Sequence, residues 1–322
     1  MQEKEIKKEE KDCMSLDGFA ACIRLDIQKI LGKEFKVKIE DVVKNNDTTL
    51  KGLIISKEGS NVSPAIYLDP HYLQYVAGEL GVKEIVADIL DVYKNCDSPD
   101  NLDISFLLDW RRVKEKVIFK LVNCKQNQKL LKDTVYLQWL DLALVPYILL
   151  KEDGVQNAMI LIKKHFLAEW KIDEEELFAI AMVNTPKLLK PNITSMKSFL
   201  EQTRPDMDLD DGVRIAMERP ENFLYILSGE NQANGAVCMV YLDVLKEFAD
   251  KIGQDLYILP SSVHEVILLP VTTEDDIDYL AFMVRDVNNT QVEPDEILSF
   301  SVYKYIRAQN NVVIAKEGSA SL

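Results

Sequence analysis

Glycine and cysteine are both scarce in this chain. Glycine accounts for 12 of 322 residues, and neither a GxGxxG nor a GxxxxGK stretch occurs. Because such glycine-rich turns let a backbone approach phosphate groups, their absence argues against a nucleotide cofactor. Cysteine occurs five times, an odd number, without any CxxC pair (Cys13, Cys22, Cys96, Cys124 and Cys238). This spacing favours free thiols in a reducing compartment over disulfides or a zinc site.

Patterns of metal ligands are also missing. The three histidines, His71, His165 and His264, are too far apart for a paired motif. The run DMDLDDG at 206–212 begins like a calcium loop, but Asp211 stands where the sharp turn requires glycine. The sequence therefore predicts neither a metal nor a cofactor.

Long apolar runs are absent as well. The most apolar stretch, 140–150, includes Asp141 and Pro146 and is too short to span a bilayer. Residues 1–12 form a charged lead without the apolar core of a secretory signal, and we expect this lead to be disordered or frayed. These absences predict a cytoplasmic protein that does not bind a membrane.

Basic residues are outnumbered by acidic ones. Lys and Arg total 38 against 53 Asp and Glu, which makes the formal net charge −15. Such a charge works against binding to a nucleic-acid backbone or to an anionic membrane surface. An acidic protein can instead mimic nucleic acid, but here the acidic residues are scattered along the chain. The hydrophobic share of 47% supplies enough apolar surface for a sizeable core.

The periodicity of apolar residues predicts an α+β fold with mostly antiparallel sheets flanked by helices. A helix over 15–31 should stop at Gly32, and a three-stranded meander up to residue 68 should lead into helices at 71–80 and 82–93. Residues 113–122 fit a helical stripe or, around 117–119, a strand. Buried strands are predicted at 141–150 and 158–162, and a helix with an acidic first turn at 173–183.

Three prolines without any sustained period mark 186–211 as a linker or long loop. We therefore expect two lobes, an N-terminal α+β lobe over 13–185 and a C-terminal α+β lobe over 212–322. The second lobe should begin with a hairpin made of strands 223–227 and 236–242. A helix at 245–252, strands at 256–259 and 266–269, a helix at 274–286 and strands at 303–306 and 312–314 should follow.

An internal similarity between the two halves of the sequence suggests a degenerate duplication. Tyr67-Leu68-Asp69 and Tyr241-Leu242-Asp243 each lead from a meander or hairpin into a helix that ends at a glycine. This order is typical of a repeated α-β-β-β-α unit, although two unrelated α+β segments can match by chance.

The densest polar cluster lies between two predicted strands. Ser261 and Ser262 supply hydroxyls, His264 an imidazole and Glu265 a carboxylate, which are the groups of a nucleophilic triad. In a strand Ser262 and His264 share a face while Glu265 points away, so the orienting acid would have to come from elsewhere. No Gly-x-Ser-x-Gly elbow is present. We therefore favour a serine-capped turn with a locally bonded histidine over a catalytic site.

Several short runs carry a resemblance to a known family. They are Tyr67-Leu68-Asp69, Tyr75, Ile85, Ile89, Tyr93, Asp141-Leu142-Ala143, Asn184-Thr185, Asn234-Gly235-Ala236 and Leu259-Pro260-Ser261-Ser262-Val263-His264-Glu265-Val266. With them the chain resembles uncharacterised proteins of gut Firmicutes that form a domain family of unknown function. The Pro-Ser-Ser-x-His-Glu stretch is the most specific part, and the second half also resembles another uncharacterised family of bacilli. The resemblance implies a bacterial cytoplasmic protein and supplies no activity.

The absent cofactor motifs, the acidic composition and the few histidines favour a non-enzymatic protein-binding or accessory protein. Its partner would be another protein rather than a nucleic acid. One alternative is a hydrolase that uses Ser261 or Ser262 with His264. A further alternative is an acidic nucleic-acid mimic, which would line one elongated face with carboxylates.

Overall fold

The computed structural model describes residues 14–60, 63–95, 105–152, 155–203, 224–231, 233–272 and 276–319. The charged lead, the run at 206–212 and the part of the predicted linker beyond residue 203 lie outside these ranges. Helices flank sheets in which every described register is antiparallel. The predicted α+β class is therefore confirmed. None of the helices in the described ranges combines the length and apolar character needed to cross a bilayer.

Contacts divide the chain into two compact units. The first comprises Met1–Lys44, Thr49–Asp103 and Asp153–Val155, and the second comprises Asn45–Thr48, Ile104–Glu152 and Gln156–Leu322. The division thus runs near residue 104, whereas the sequence placed it at 186–211. The physical reason is that the start of the predicted linker is hydrogen-bonded into a sheet of the second unit, as shown below.

The first unit contains one sheet and its helices. In chain order the elements are α1 (Leu16–Leu31), β1 (Phe35–Val43), β2 (Thr49–Lys57), β3 (Ala65–Tyr67), α2 (Asp69–Ala77) and α3 (Val82–Lys94). The sheet has the order β1-β2-β3. This is the helix, meander and helix pair that apolar spacing predicts.

Local chemistry sets the limits of α1. The Ser15 hydroxyl accepts a hydrogen bond from the Gly18 N–H at 3.2 Å, which satisfies one free donor of the first turn. Gly32 ends the helix with φ 83°, a conformation that favours glycine. Between them, Phe19, Ile23 and Ile27 fall on one face and are fully buried against the sheet.

A four-stranded sheet forms the first part of the second unit. The elements are α4 (Trp110–Val113), β4 (Val117–Asn123), α5 (Gln128–Lys132), β5 (Leu137–Trp139), β6 (Leu142–Glu152), β7 (Val155–Leu161), α6 (Lys164–Trp170) and α7 (Glu174–Leu188). The strand order is β4-β6-β5, and β7 also pairs with β6. The ambiguous segment around 117–119 is a strand, and nearly every side chain of β4 is buried. Burial on both faces explains why its sequence shows no clear alternation.

A six-stranded sheet forms the remainder of the second unit. The elements are β8 (Pro191–Ser195), α8 (Met196–Thr203), β9 (Tyr225–Gly229), α9 (Leu242–Ile252), β10 (Leu256–Pro260), β11 (Glu265–Pro270), α10 (Ile277–Thr290), β12 (Val302–Ile306) and β13 (Asn311–Lys316). The strand order is β13-β12-β10-β11-β9-β8. Leu280 and Val284 of α10 pack on Leu259 and Val302, so this helix covers one face of the sheet.

The predicted linker is partly regular structure. Helix α7 continues to Leu188, and β8 pairs with β9 from Pro191↔Gly229 to Ser195↔Tyr225. Because β8 is an edge strand with half-exposed side chains and proline at its first position, it lacks the apolar alternation that marks inner strands. Residues 186–188, 191–195 and 196–203 are therefore helix, strand and helix, where the sequence predicted a linker or long loop.

The predicted hairpin at 223–227 and 236–242 was also wrong in its second strand. Residues Gly235–Val240 form a 3₁₀ helix, and β9 pairs with β8 and β11 instead. Every residue from Gly235 to Met239 is buried, and a short, wholly buried apolar run has the same sequence character in a strand or a helix. The triplet at Tyr241 is therefore not preceded by a hairpin, and the duplication stays a prediction.

Candidate functional site

The polar run 260–265 forms the turn between β10 and β11. Within it the Ser262 N–H donates to the Glu265 carbonyl at 3.2 Å, which closes the turn. The Val263 N–H donates to the carbonyl of Glu296 at 2.8 Å. The turn is thus tied both to itself and to the segment that follows α10.

Both serine hydroxyls bond within the turn. The Ser262 side chain is 6% exposed, and its Oγ accepts from the backbone N–H of His264 at 3.0 Å. The Ser261 hydroxyl donates to Glu265 Oε1 at 3.5 Å. These contacts are typical of a serine-capped turn, in which a hydroxyl accepts a backbone N–H two residues on.

The His264 ring is engaged at both nitrogens, away from the hydroxyls. Its Nδ1 accepts from the backbone N–H of Asn234 at 3.1 Å, and Nε2 lies 3.3 Å from Glu296 Oε1. Because a backbone N–H can only donate, Nδ1 must be unprotonated, so Nε2 carries the proton and donates to the carboxylate. In a triad the unprotonated nitrogen faces the nucleophile. Here it faces the main chain.

The acid that pairs with His264 was missed by sequence reasoning. Glu296 lies 32 residues further along the chain, outside any local motif. The structure thus brings His264 together with an acid from elsewhere, as a hydrolase would need. Among the described contacts of Ser261 and Ser262, however, none joins a hydroxyl to the imidazole.

Two of the sequence stretches that resemble the family, 234–236 and 259–266, contact each other at this turn. Asn234 has φ 55°, and the Ala236 N–H donates to the Val263 carbonyl at 3.3 Å. A Cβ atom on Gly235 would lie 2.0 Å from the Gly229 nitrogen and 2.6 Å from the His264 carbonyl oxygen. Only glycine fits so close an approach of three backbone segments. Glycine at position 235 therefore has a folding reason.

A second polar cluster surrounds Asp141, and we call it the Asp141 cluster. The carboxylate accepts hydrogen bonds from the hydroxyls of Ser299 at 2.8 Å, Ser301 at 3.1 Å and Tyr303 at 2.7 Å. These three donors stand at every second residue of the segment that leads into β12. That alternation was the sequence signal by which the cluster could have been found.

Neither Tyr303 nor the neighbouring Cys124 is an activated nucleophile. Burial, with the charge of Asp141, raises the pKa of the Tyr303 phenol well above its usual value. The same two causes raise the pKa of the nearby Cys124 thiol. Both groups therefore stay protonated at neutral pH, and a protonated thiol is a poor nucleophile. The cluster is best understood as a polar network that joins the β5–β6 turn to β12.

Asn184 and Thr185, another stretch that resembles the family, connect two elements of the same unit. The Asn184 amide donates to the carbonyls of Lys114 at 2.8 Å and Val117 at 3.2 Å. The Thr185 hydroxyl donates to the Ala181 carbonyl at 2.6 Å and accepts from the Phe119 N–H at 3.1 Å. Together they attach α7 to the start of β4.

Comparison with known proteins adds a family and no activity. Neither a curated protein nor a solved structure matches the chain. An origin in gut Firmicutes and the Pro-Ser-Ser-x-His-Glu signature stay predictions. The profile of a family of unknown function, DUF5688, matches residues 16–307, and the chain belongs to this family.

Proposed function

We propose that the protein is a non-enzymatic protein-binding or accessory protein of the bacterial cytoplasm, and that the outer face of α10 binds its partner. The observation that carries this proposal is a row of large apolar side chains in solvent. Tyr279 is 59% exposed, Phe282 52%, Val287 39% and Met283 37%. We call these four residues the α10 stripe.

Helical spacing makes the α10 stripe continuous. Its members stand at positions i, i+3, i+4 and i+8, which are neighbours on one helix surface. Leu280, Val284 and Asn288 on the other side are buried against the sheet. Single exposed apolar residues are common on soluble proteins, whereas a contiguous row of them marks an interaction surface. Tyr, Phe and Met are also the residue types enriched at protein interfaces.

The charges beside the α10 stripe are mixed, since Arg285 and Asp286 both adjoin it. Asp286 is exposed and lies within the row, three residues from Met283. Asp278 is neutralised by Lys316 at 2.8 Å, and Asp276 caps the helix by accepting from the Asp278 and Tyr279 N–H groups. With a net charge of −15, two copies of this chain would repel each other. We therefore expect a different protein, with an apolar contact surface and a basic overall charge.

The test is a tagged pull-down from native host lysate with identification of partners by mass spectrometry. The variant Tyr279→Ser/Phe282→Ser should lose a partner that the wild type binds. The matched control is Leu73→Ser on α2, where the side chain is 69% exposed in the other unit. A partner retained equally by the stripe variant, or no partner for the wild type, would contradict the proposal. Circular dichroism of each variant shows that the fold is intact.

The hydrolase alternative stays a prediction, with less support from the geometry. It requires a serine hydroxyl within about 2.6–3.2 Å of a free imidazole nitrogen. His264 instead uses its nitrogens for Asn234 and Glu296. Hydrolysis of ester or peptide substrates by the purified wild type, abolished in Ser262→Ala, would establish it. The nucleic-acid mimic also stays a prediction.

A further inference from the structure

A surface cavity of about 490 Å³ lies in the second unit, apart from the α10 stripe and the Pro260–Glu265 turn. Its walls come from the turn after β4, from α5 and from the residues around β5. The lining residues are Cys124, Lys125, Gln128, Leu131, Lys132, Tyr136 and Gln138. Its volume falls in the range of about 300–1,000 Å³ that is usual for small-molecule sites. We call it the Lys125–Lys132 pocket.

The charge of this region is opposite to that of the chain as a whole. Residues 124–138 contain three lysines, Lys125, Lys129 and Lys132, and one acid, Asp133. Two more lysines adjoin them, because Lys163 bridges to Thr134 and the Lys164 ammonium donates to the Lys132 carbonyl at 3.0 Å. In a protein with 38 basic and 53 acidic residues, this clustering is a local reversal.

The carboxylates of Asp47 and Asp141 form no ion pair with the lysines of the pocket among the described residues. Asp47 uses both oxygens to accept from the Lys129 backbone N–H, at 3.0 and 3.2 Å. Asp141, beyond Cys124, is held by three hydroxyls. Among the ion pairs of the described residues, none involves Lys125 or Lys132. Within the described part of the chain, two lysines of one cavity thus form no ion pair with a carboxylate.

The remaining lining residues suit a ring rather than an anion. Tyr136 is 42% exposed and can stack on a flat group, while Leu131 supplies a buried apolar contact. Gln128 and Gln138 each offer a donor and an acceptor to the edge of a heterocycle. The pocket therefore combines two cationic groups, one aromatic face and two amides.

We propose that the Lys125–Lys132 pocket binds a small phosphate monoester that carries an aromatic or heterocyclic ring, the chemical class of a mononucleotide. The two ammonium groups hold the dianion, and Tyr136 contacts the ring. We propose binding only at this site and no reaction. The site is separate from the partner surface on α10, so either proposal can fail without the other.

The test is calorimetric titration of the full chain with AMP, inorganic phosphate and adenosine. AMP should bind at least tenfold more tightly than either fragment. The variant Lys125→Gln/Lys132→Gln should weaken AMP binding at least tenfold, whereas the control Lys187→Gln, on α7, should not change it. AMP that does not bind, or that binds equally well to the double variant, would overturn the proposal. If inorganic phosphate bound as tightly as AMP, the proposed contact between Tyr136 and the ring would be wrong.

Alkylation of Cys124 supplies a second readout on the unmodified chain. Iodoacetamide labelling at alkaline pH, where part of this raised-pKa thiol is ionised, should be at least threefold slower at Cys124 when AMP is present, as mapped by mass spectrometry. Cys22 is partly exposed in the other unit and is the internal control, whose rate should stay constant. Equal rates at Cys124 with and without AMP would contradict occupation of the pocket.

Discussion

The Asp141 cluster allows a stability prediction to be worked out from its contacts. Ser299, Ser301 and Tyr303 are 1%, 3% and 0% exposed, so their hydroxyls depend on Asp141 rather than on bulk water. Asp141→Ala removes the shared acceptor of all three. Each buried hydroxyl left without its partner costs about 1–3 kcal/mol. Because the three share one partner and can partly reorient, their costs do not add fully, and we expect a total loss of about 3–5 kcal/mol.

Urea unfolding followed by circular dichroism measures this loss. Trp139 stacks on Tyr303 with ring centroids 6.4 Å apart, so tryptophan fluorescence, to which Trp110 and Trp170 also contribute, supplies a second probe of the transition. Tyr303→Phe should cost less than Asp141→Ala, since the carboxylate keeps two donors. The control Asp133→Ala changes an exposed carboxylate and should stay within about 0.5 kcal/mol of wild type. A loss below about 1 kcal/mol for Asp141→Ala would refute the view that this carboxylate satisfies the buried hydroxyls.

Three further predictions concern backbone approach, an inter-element bond and pH. Gly235→Ala should lower the free energy of unfolding by at least about 3 kcal/mol, because the new methyl group meets backbone atoms that cannot move aside. A thermal unfolding curve close to that of the wild type would refute this. Gln28→Ala should cost about 1–2 kcal/mol of stability, since the Gln28 amide donates to Phe35 O at 2.9 Å and accepts from the Val37 N–H at 3.0 Å. Urea denaturation measures this loss, and an unchanged midpoint would contradict it. Burial raises the pKa of the Tyr147 phenol to about 12. The unfolded chain therefore releases that proton first, and stability should fall as the pH rises from about 10 to 12. Tyrosinate absorbance recorded with circular dichroism checks this, and full tyrosine ionisation near pH 10 in a folded chain would exclude it.

Where the sequence predictions failed, the failures have a common cause. The 3₁₀ helix at Gly235–Val240 was predicted as a strand because all of its early residues are buried, which erases the period that separates the two structures. Strand β8 was predicted as linker because its pairing uses backbone groups, and side chains carry little record of backbone pairing at an edge. In both segments the secondary structure depends on contacts with residues that are distant in sequence.

The sequence by itself determined the fold class and the elements whose signals are local. Helix α1 illustrates this, since its cap at Ser15, its stop at Gly32 and its apolar face all lie within 18 residues that can be read in order. Only the tertiary structure determined which groups the candidate residues contact. It placed Glu296 against His264, three hydroxyls around Asp141 and two lysines in the lining of one cavity. The reason is that a side chain's chemistry depends on its partners in space, and these partners lie up to 162 residues apart in the chain.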